Sequence, residues 1–396
     1  MRRIARIAMV VGVLILFLTI WTAPEILGDS EAGPLRTKPG HSSGKKPRDP
    51  RDPNEVIRVF RSHGEAETAW RVRWAEGVNR GLYITGAWFR RAPGEAWIQV
   101  LRDARLSDIF VPYHPGYPRY FDLTGGYNFG LLPATPEDAG RRGTLLGDPP
   151  RVVKEIRDRG VGWKDDLSVY RGEEMVLWGT LDAANYNYVI EYGFRDDGTI
   201  AFRLGATARN LPGMERVPHL HVGLWRIDID LNGPDHDSAL LAEHTALPGN
   251  FRAADDTLPF NGGLEGAADW EAERFTQVRV LDTEKTNGQG RNISYDLIPL
   301  RYGISRHTEP FLNHDFWVTR SHDHELFHQL LPRYVGDGES VTDTDVVLWY
   351  ASPVHHAPRD EDGEYLGRYW QGSTLIIWTG FDLRPRDLFD RTPFHP

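Results

Sequence analysis

The stretch YNYVIEYGFRDDGTIAFRL, residues 186–204, decides the fold class. Tyr186, Tyr188, Ile190, Tyr192 and Phe194 alternate with Asn187, Val189, Glu191 and Arg195, and a period of two sets one row of side chains on each face of a strand. Asp197-Gly198 then marks a turn and Ile200 starts a return strand, so the segment predicts a β-hairpin with Tyr186 on its apolar face. Further along, HLHVGLWRIDIDL (residues 219–231) puts His219, His221, Trp225, Ile227 and Ile229 on one face and Arg226, Asp228 and Asp230 on the other. Few segments carry a helical period, and no repeat of fixed length is present. With 40 Gly, 27 Pro, 17 Phe, 15 Tyr and 13 Trp, the chain suits many short strands joined by turns, which points to an all-β protein.

A length of 396 residues allows two average domains or one large β domain. Lys plus Arg number 46 against 56 Asp plus Glu, a net charge of 46 − 56 = −10, which is the wrong sign for gripping phosphate backbones. Nucleic acid is therefore excluded as a partner. The absence of cysteine removes disulfides, thiolate nucleophiles, zinc ribbons and iron–sulfur clusters, so a metal must sit on His, Asp, Glu, Tyr or backbone oxygens. Arg2, Arg3 and Arg6 precede an uncharged, mostly apolar run from Ile7 to Ala23, which reads as an export signal retained as a membrane anchor, with a cleaved signal peptide as the competing reading. The expected organisation is a signal or anchor segment over 1–28, a flexible Pro-, Gly- and charge-rich linker over 29–54, and one folded domain over 55–396 lying outside the cytoplasm.

Two histidines one residue apart on a strand project the same way about 6.5 Å apart, close enough for both imidazoles to reach one metal. His219 and His221 meet that condition, although a pair of hydrogen-bonded core histidines has the same spacing. His355 and His356 follow another buried-type strand, DVVLWYASPV, and spacing alone does not choose between them as a third ligand. His324-Glu325-Leu326-Phe327-His328 spells H-E-x-x-H, the zinc-protease motif, but the preceding HDFWVTR reads as a strand and Pro332 stops a sustained helix. Asp228-x-Asp230-x-Asn232-Gly233 copies the start of a calcium loop, but Ala239 stands where the twelfth-position glutamate is required, so an EF-hand is excluded. Asp228 and Asp230 are still candidates for a hard cation on their strand face, against the bland reading of a solvated polar surface. The many aromatics allow a sugar-binding surface as a non-enzyme reading, although such residues more often fill a core. Asn292-Ile293-Ser294 matches the glycosylation acceptor, a motif too short to inform.

Taken in order, NYNY (185–188), HLH (219–221) and VLWYASPVHHAPRDED (347–362) resemble the catalytic domain of copper amine oxidases. The resemblance implies that Tyr186, preceded by Asn185, is the precursor of a topaquinone cofactor, that His219, His221 and His356 hold copper(II), and that His356 rather than His355 is the third ligand. VPY followed by RYFDLTGGYNFG resembles the family segment with the catalytic base and a channel-gating tyrosine, which fall on Asp122 and Tyr120. The RIDID and DTDVV strands resemble those holding a second cation, calcium in expectation, through Asp228, Asp230, Asp345 and the carbonyls of Ile229 and Val346. FWVTRSHDHEL resembles a family stretch without metal ligands, which sets the H-E-x-x-H string aside. The likeness runs from about residue 56 to FDRTP and implies a large antiparallel β-sandwich, a homodimer, and conversion of a primary amine, O2 and water into an aldehyde, ammonia and hydrogen peroxide. Departures from the pattern are Asn187 where the family has Asp or Glu, EDGEYLGRYW in place of a familiar Pro-containing string, and no family-type small domains before the catalytic one. Asn187 supports the alternative of a metal-binding relative without quinone, acting as a surface or binding protein; a zinc protease through HELFH is the distant one.

Overall fold

A computed structural model describes residues 54–62, 66–246, 253–300, 306–367, 369–391 and 394. One sheet has nine strands, in the order β1 (Glu55–Ser62), β2 (Ala66–Gly77), β3 (Gly81–Arg90), β4 (Ile98–Pro112), β11 (His219–Ile229), β18 (Val346–His356), β17 (Phe316–Arg320) and β14 (Gly266–Ala268), with β5 (Arg119–Phe121) paired to β4. The other has eleven, in the order β13 (Ala253–Pro259), β12 (Asp237–Ala246), β15 (Gln277–Thr286), β16 (Asn292–Leu300), β20 (Tyr369–Arg386), β10 (Ile200–Arg209), β9 (Tyr186–Arg195), β8 (Val169–Ala183), β7 (Pro150–Lys164) and β6 (Thr144–Gly147), with β19 (Gly363–Leu366) beside β20. The strand pairs are antiparallel, as an all-β sandwich read from the sequence requires.

The hairpin forms where the alternation places it. Phe194 pairs with Ile200, and Gly198 takes φ +87° in the intervening turn, a conformation that glycine adopts without steric cost. Tyr188, Ile190, Tyr192 and Phe194 are buried along its inner face. The Tyr192 hydroxyl crosses the sandwich to donate to the carbonyls of Leu82 and Ala104, at 3.2 Å each, and Trp70 Nε1 donates to the Arg195 carbonyl at 2.7 Å. Between the sheets Trp225, Phe202, Phe381 and Tyr350 pack ring on ring. Each large side chain so buried contributes about 1.5–3 kcal/mol relative to exposure, so this aromatic layer helps hold the sheets together.

Strand register fixes where the polar side chains meet. In the β11–β18 ladder His219 lies opposite His356, and Ile229 lies opposite Val346 at the far end. β11 also pairs with β4, whose last residues turn back into β5, so that Tyr120 lies opposite Val111 and Asp122 comes directly after β5, its N–H donating to the Ile109 carbonyl at 2.8 Å. The inner face of β9 looks onto the inner face of β11.

The segment from His324 to Phe327 is not helical; a 3-10 turn over His328–Leu330 leads into a single α-helical turn at Leu331–Tyr334, with Pro332 in its first turn, where a missing N–H costs nothing. Pro332 thus opens a short helix instead of only stopping one. Among the described residues no helix is long and apolar enough to cross a membrane. The expected anchor at 7–23 and the expected linker, Asn54 excepted, lie outside the described residues.

Candidate metal centre

Parity on β11 sends His219 and His221 into the space between the sheets, and the end of β18 adds His356 beside them; all three are buried. His219 Nε2 is 3.1 Å from His221 Nε2 and 3.1 Å from His356 Nδ1. From the opposite sheet the Tyr186 hydroxyl comes within 3.0 Å of His219 Nε2 and 3.2 Å of His356 Nδ1. His355, one residue away, is exposed on the other side of its strand, opposite Leu220.

The partners of these groups fix where the protons are. His219 Nδ1 lies 2.8 Å from the Val217 carbonyl, which only accepts, so Nδ1 carries the hydrogen and Nε2 presents a lone pair. Tyr188 donates its hydroxyl to Asp122 Oδ2 at 2.5 Å, so at 2.9 Å it accepts from His221 Nδ1, and His221 Nε2 is also bare. The Tyr186 proton goes to Asn210 Oδ1 at 3.0 Å. Two bare imidazole nitrogens therefore face each other, with a third imidazole nitrogen and a phenol oxygen at the same point. Lone pairs in that arrangement repel unless a cation sits among them, so this donor set fits a divalent metal that prefers imidazole. Burial, with the neighbouring His356 adding and the Val217 carbonyl opposing, holds His219 at about 4. Burial and the other two imidazoles push His221 well below the usual range, and burial lowers His356. All three are neutral ligands at neutral pH.

Around this core, burial pushes the Tyr186 phenol well above its ordinary value, with Tyr113 and Asp122 adding to the effect. Tyr113 hydrogen-bonds Tyr186 and stacks on the His219 imidazole at 4.3 Å. Tyr120, half-buried, stands edge-on to Tyr113 at 5.9 Å. Asp122 is pushed up to about 7, first by burial, opposed by the Tyr188 hydrogen bond and reinforced by the charge of Asp108. Asn185 is half-buried and its carbonyl accepts from the Arg209 N–H at 3.0 Å, while Asn210, not Asn185, holds the Tyr186 hydroxyl. Alternation along β9 carries Asn187 to the face away from the histidines, between Asp182 and Thr207. The VPY motif was the only sequence signal for Tyr113; Tyr188 and Asn210 carried no signal of their role, because their contacts depend on how the two sheets face each other.

A second group lies at the other end of β11 and β18. Carboxylate oxygens of Asp228, Asp230 and Asp345 fall within 4.8 Å of one another. Asp228 Oδ2 accepts from Arg226 at 3.0 Å and from Ser321 at 3.1 Å, and Asp230 Oδ2 accepts from Gln99 at 3.0 Å. Arg102 approaches Asp228 at 3.6 Å and Asp345 at 3.8 Å. One oxygen of each of the three carboxylates is buried without a hydrogen-bond partner. Burial and the neighbouring acids push Asp230 up to about 8; Asp345 rises to about 7 by burial and the charge of Asp228. Asp237, which the sequence did not single out, adds its charge nearby and also keeps one buried oxygen without a partner.

The H-E-x-x-H residues do not converge. His324 is exposed, Glu325 is buried in a non-helical segment, and His328 sits edge-on to Phe311 and Trp349, held at about 3 by burial. The string is a chance match.

Comparison with known proteins agrees with this geometry. Residues 211–395 match the family described as "Copper amine oxidase, enzyme domain", a span that includes the three histidines and the acidic group. The chain is 25% identical over 370 residues to a primary amine oxidase of Klebsiella aerogenes, covering 72% of this chain and 48% of that protein. It is 25% identical over 394 residues to copper amine oxidase 1 of Aspergillus niger, covering 82% and 56%. The chain thus spans about half the length of the relatives it matches. In fold it is similar to the copper-containing benzylamine oxidase from Hansenula polymorpha, with TM-score 0.64 at 18% identity over 90% of this chain and 64% of that one. The family resemblance read from the sequence is borne out, and so is the antiparallel β fold it implied.

Proposed function

We propose that this chain, a relative of the copper amine oxidases, is a copper-dependent primary-amine oxidase. The observation that carries the reading is the convergence of three neutral imidazoles beside the hydroxyl of Tyr186, with Asp122 two hydrogen bonds behind His221, through Tyr188. His219 and His221 through Nε2 and His356 through Nδ1 would hold copper(II). Copper with O2 would supply the oxidation of Tyr186 to topaquinone, and the pair the two-electron chemistry that converts a primary amine, O2 and water into an aldehyde, ammonia and hydrogen peroxide. The chain's own residues do the rest. Asn210 and Tyr113 orient Tyr186, and Tyr120 stands beside Tyr113 on the approach to Asp122. Asp122, pushed up to about 7, accepts the α-proton of the amine, a task for which a carboxylate with a raised pKa is suited.

The same reading gives the second group a role: Asp228, Asp230 and Asp345, with the carbonyls of Ile229 and Val346, would take calcium, whose charge satisfies the buried unpartnered oxygens. Export with anchoring by residues 7–23 and assembly as a homodimer complete the proposal.

Asn187 favours a second reading, a metal-binding relative that never forms the quinone, but its place on the far face of β9 leaves the ligand set untouched. The deciding experiment is a visible spectrum of the purified chain after copper loading in air, followed by phenylhydrazine. A broad quinone band that shifts to an intense hydrazone absorption is expected. Stoichiometric copper with no such band would replace the oxidase with the quinone-free metal binder.

A further inference from the structure

We propose that Asp108 is a positioning residue for Asp122: its carboxylate pins the turn that carries Asp122 and places a like charge behind it. The proposal rests on the reading of Asp122 as the proton acceptor. Asp108 is fully buried on β4, fourteen residues before Asp122, and its carboxylate acts as an acceptor throughout. Oδ1 accepts from the backbone N–H groups of Ile109 at 2.8 Å, Leu123 at 3.2 Å and Thr124 at 3.3 Å. Oδ2 accepts from Gln329 Nε2 at 2.7 Å and from the Thr124 hydroxyl. The two residues after Asp122 are thereby tied to Asp108, while the N–H of Asp122 itself is tied to the carbonyl of Ile109, the residue after Asp108. Gln329 brings a third segment, the turn His328–Leu330, to the same carboxylate.

A loop staple needs only acceptor atoms, and an asparagine would serve nearly as well. The charge is what makes Asp108 more than a staple. The charged neighbour acting on Asp122 is Asp108, whereas Tyr188 from β9, Tyr186 at its start, Tyr113 and Tyr120 face it as neutral phenols, with His221 beyond Tyr188. Burial raises Asp108 above the ordinary carboxylate range, and five donors oppose it by favouring the ionised form. An ionised Asp108 in turn disfavours ionisation of Asp122 and moves it toward neutral pH.

Asp108→Asn removes the charge and keeps the shape. The asparagine Oδ1 retains the three backbone donors, and its NH2 faces the Thr124 hydroxyl, which can accept, and Gln329, whose own Oε1 is buried without a partner and can turn to meet it. The measurement is an infrared titration of the protonated carboxyl band of Asp122 in the full chain, assigned by its absence in Asp122→Asn, alongside the pH profile of kcat/KM. In Asp108→Asn the midpoint is expected to fall so that the ionisation constant rises about three- to tenfold, with the acid limb of the kinetic profile moving equally. A folded Asp108→Asn with an unmoved midpoint overturns the proposal. Should that variant not fold, Gln329→Met removes one donor that stabilises the ionised Asp108 and so weakens the like charge behind Asp122, whose midpoint must then fall; no fall overturns the proposal equally. Amine turnover with no shift in the band keeps the oxidase and removes Asp108 from it. A shift in the band with no turnover of any primary amine keeps the positioning role and removes the oxidase.

Discussion

Strands β11 and β18 carry a donor cluster at each end, and the two ends are built on opposite electrostatics. At the start of β11 and the end of β18, three neutral imidazoles meet on the inner face, where burial opposes any charge and protonation is suppressed. At the other end Asp228, Asp230 and Asp345 gather on the outer face, where like charges are tolerated only because Arg226 and Arg102 stand against them and protons are held unusually tightly. Neutral donors can wait preassembled for a metal, while acidic ones must be neutralised by something at all times. Under the proposed function the histidine end would need its ion for chemistry, and the acidic end would use its ion for stability.

The hardest test of that contrast falls on the histidine end. His356→Ala deletes one of three buried ligands and is expected to abolish stoichiometric copper binding and with it all turnover, whereas His355→Ala, on an exposed side chain, leaves both intact. Metal analysis by atomic absorption settles it; full copper in His356→Ala and depleted copper in His355→Ala would invert the ligand assignment.

Asp122→Asn sharpens the comparison by separating chemistry from metal binding at the same end. Copper content should be unchanged, since Asp122 reaches His221 only through Tyr188, while turnover falls about 10²- to 10⁴-fold, the usual worth of a positioned general base. In the parent chain kcat/KM should rise with pH through about 7 as Asp122 ionises. Stability runs the other way. The folded value lies above the ordinary 3.8, so the contribution of Asp122 is complete below that value and is lost as pH rises through about 7. A flat rate profile between pH 5 and 8, or unchanged turnover in Asp122→Asn, would exclude this residue as the base.

Much of this was legible in the chain because strand parity is a local property. The alternation in residues 186–194 and 219–230 is enough to send Tyr186, His219 and His221 inward and Asp228 and Asp230 outward, and the structure places them so. The choice between His355 and His356 needed the register of β18 against β11, which no spacing encodes and which only family resemblance anticipated. The contacts of Tyr113, Tyr188 and Asn210 were illegible for a related reason. Each acts through a partner on a strand or loop far along the chain, such as Tyr188 on Asp122, 66 residues earlier, or Tyr186 on Asn210 at the end of the next strand. The arginines that neutralise the acidic end were likewise out of reach: alternation places Arg226 beside Asp228, but Arg102 arrives from β4.

The smallest expected effect probes the acidic end. Calcium bound there would stabilise the folded chain by mass action, by about 2.7 kcal/mol when its concentration is a hundredfold above the dissociation constant. In a domain of several hundred residues that corresponds to a rise in Tm of roughly 4 °C. Asp230→Asn, which removes the carboxylate with the most raised value of the three, should abolish the calcium-dependent rise while leaving the copper content of the other end unchanged. Arg226 gives the experiment its counter-argument, because a guanidinium 3.0 Å from Asp228 already supplies a positive charge. If Arg226 and Arg102 sufficed, the Tm would not respond to calcium in the parent chain and the cluster would be an internal ion-pair network. The buried, unpartnered oxygens on all three aspartates argue that it does respond, since two guanidiniums leave those oxygens unsatisfied and a divalent ion with several oxygen ligands would not.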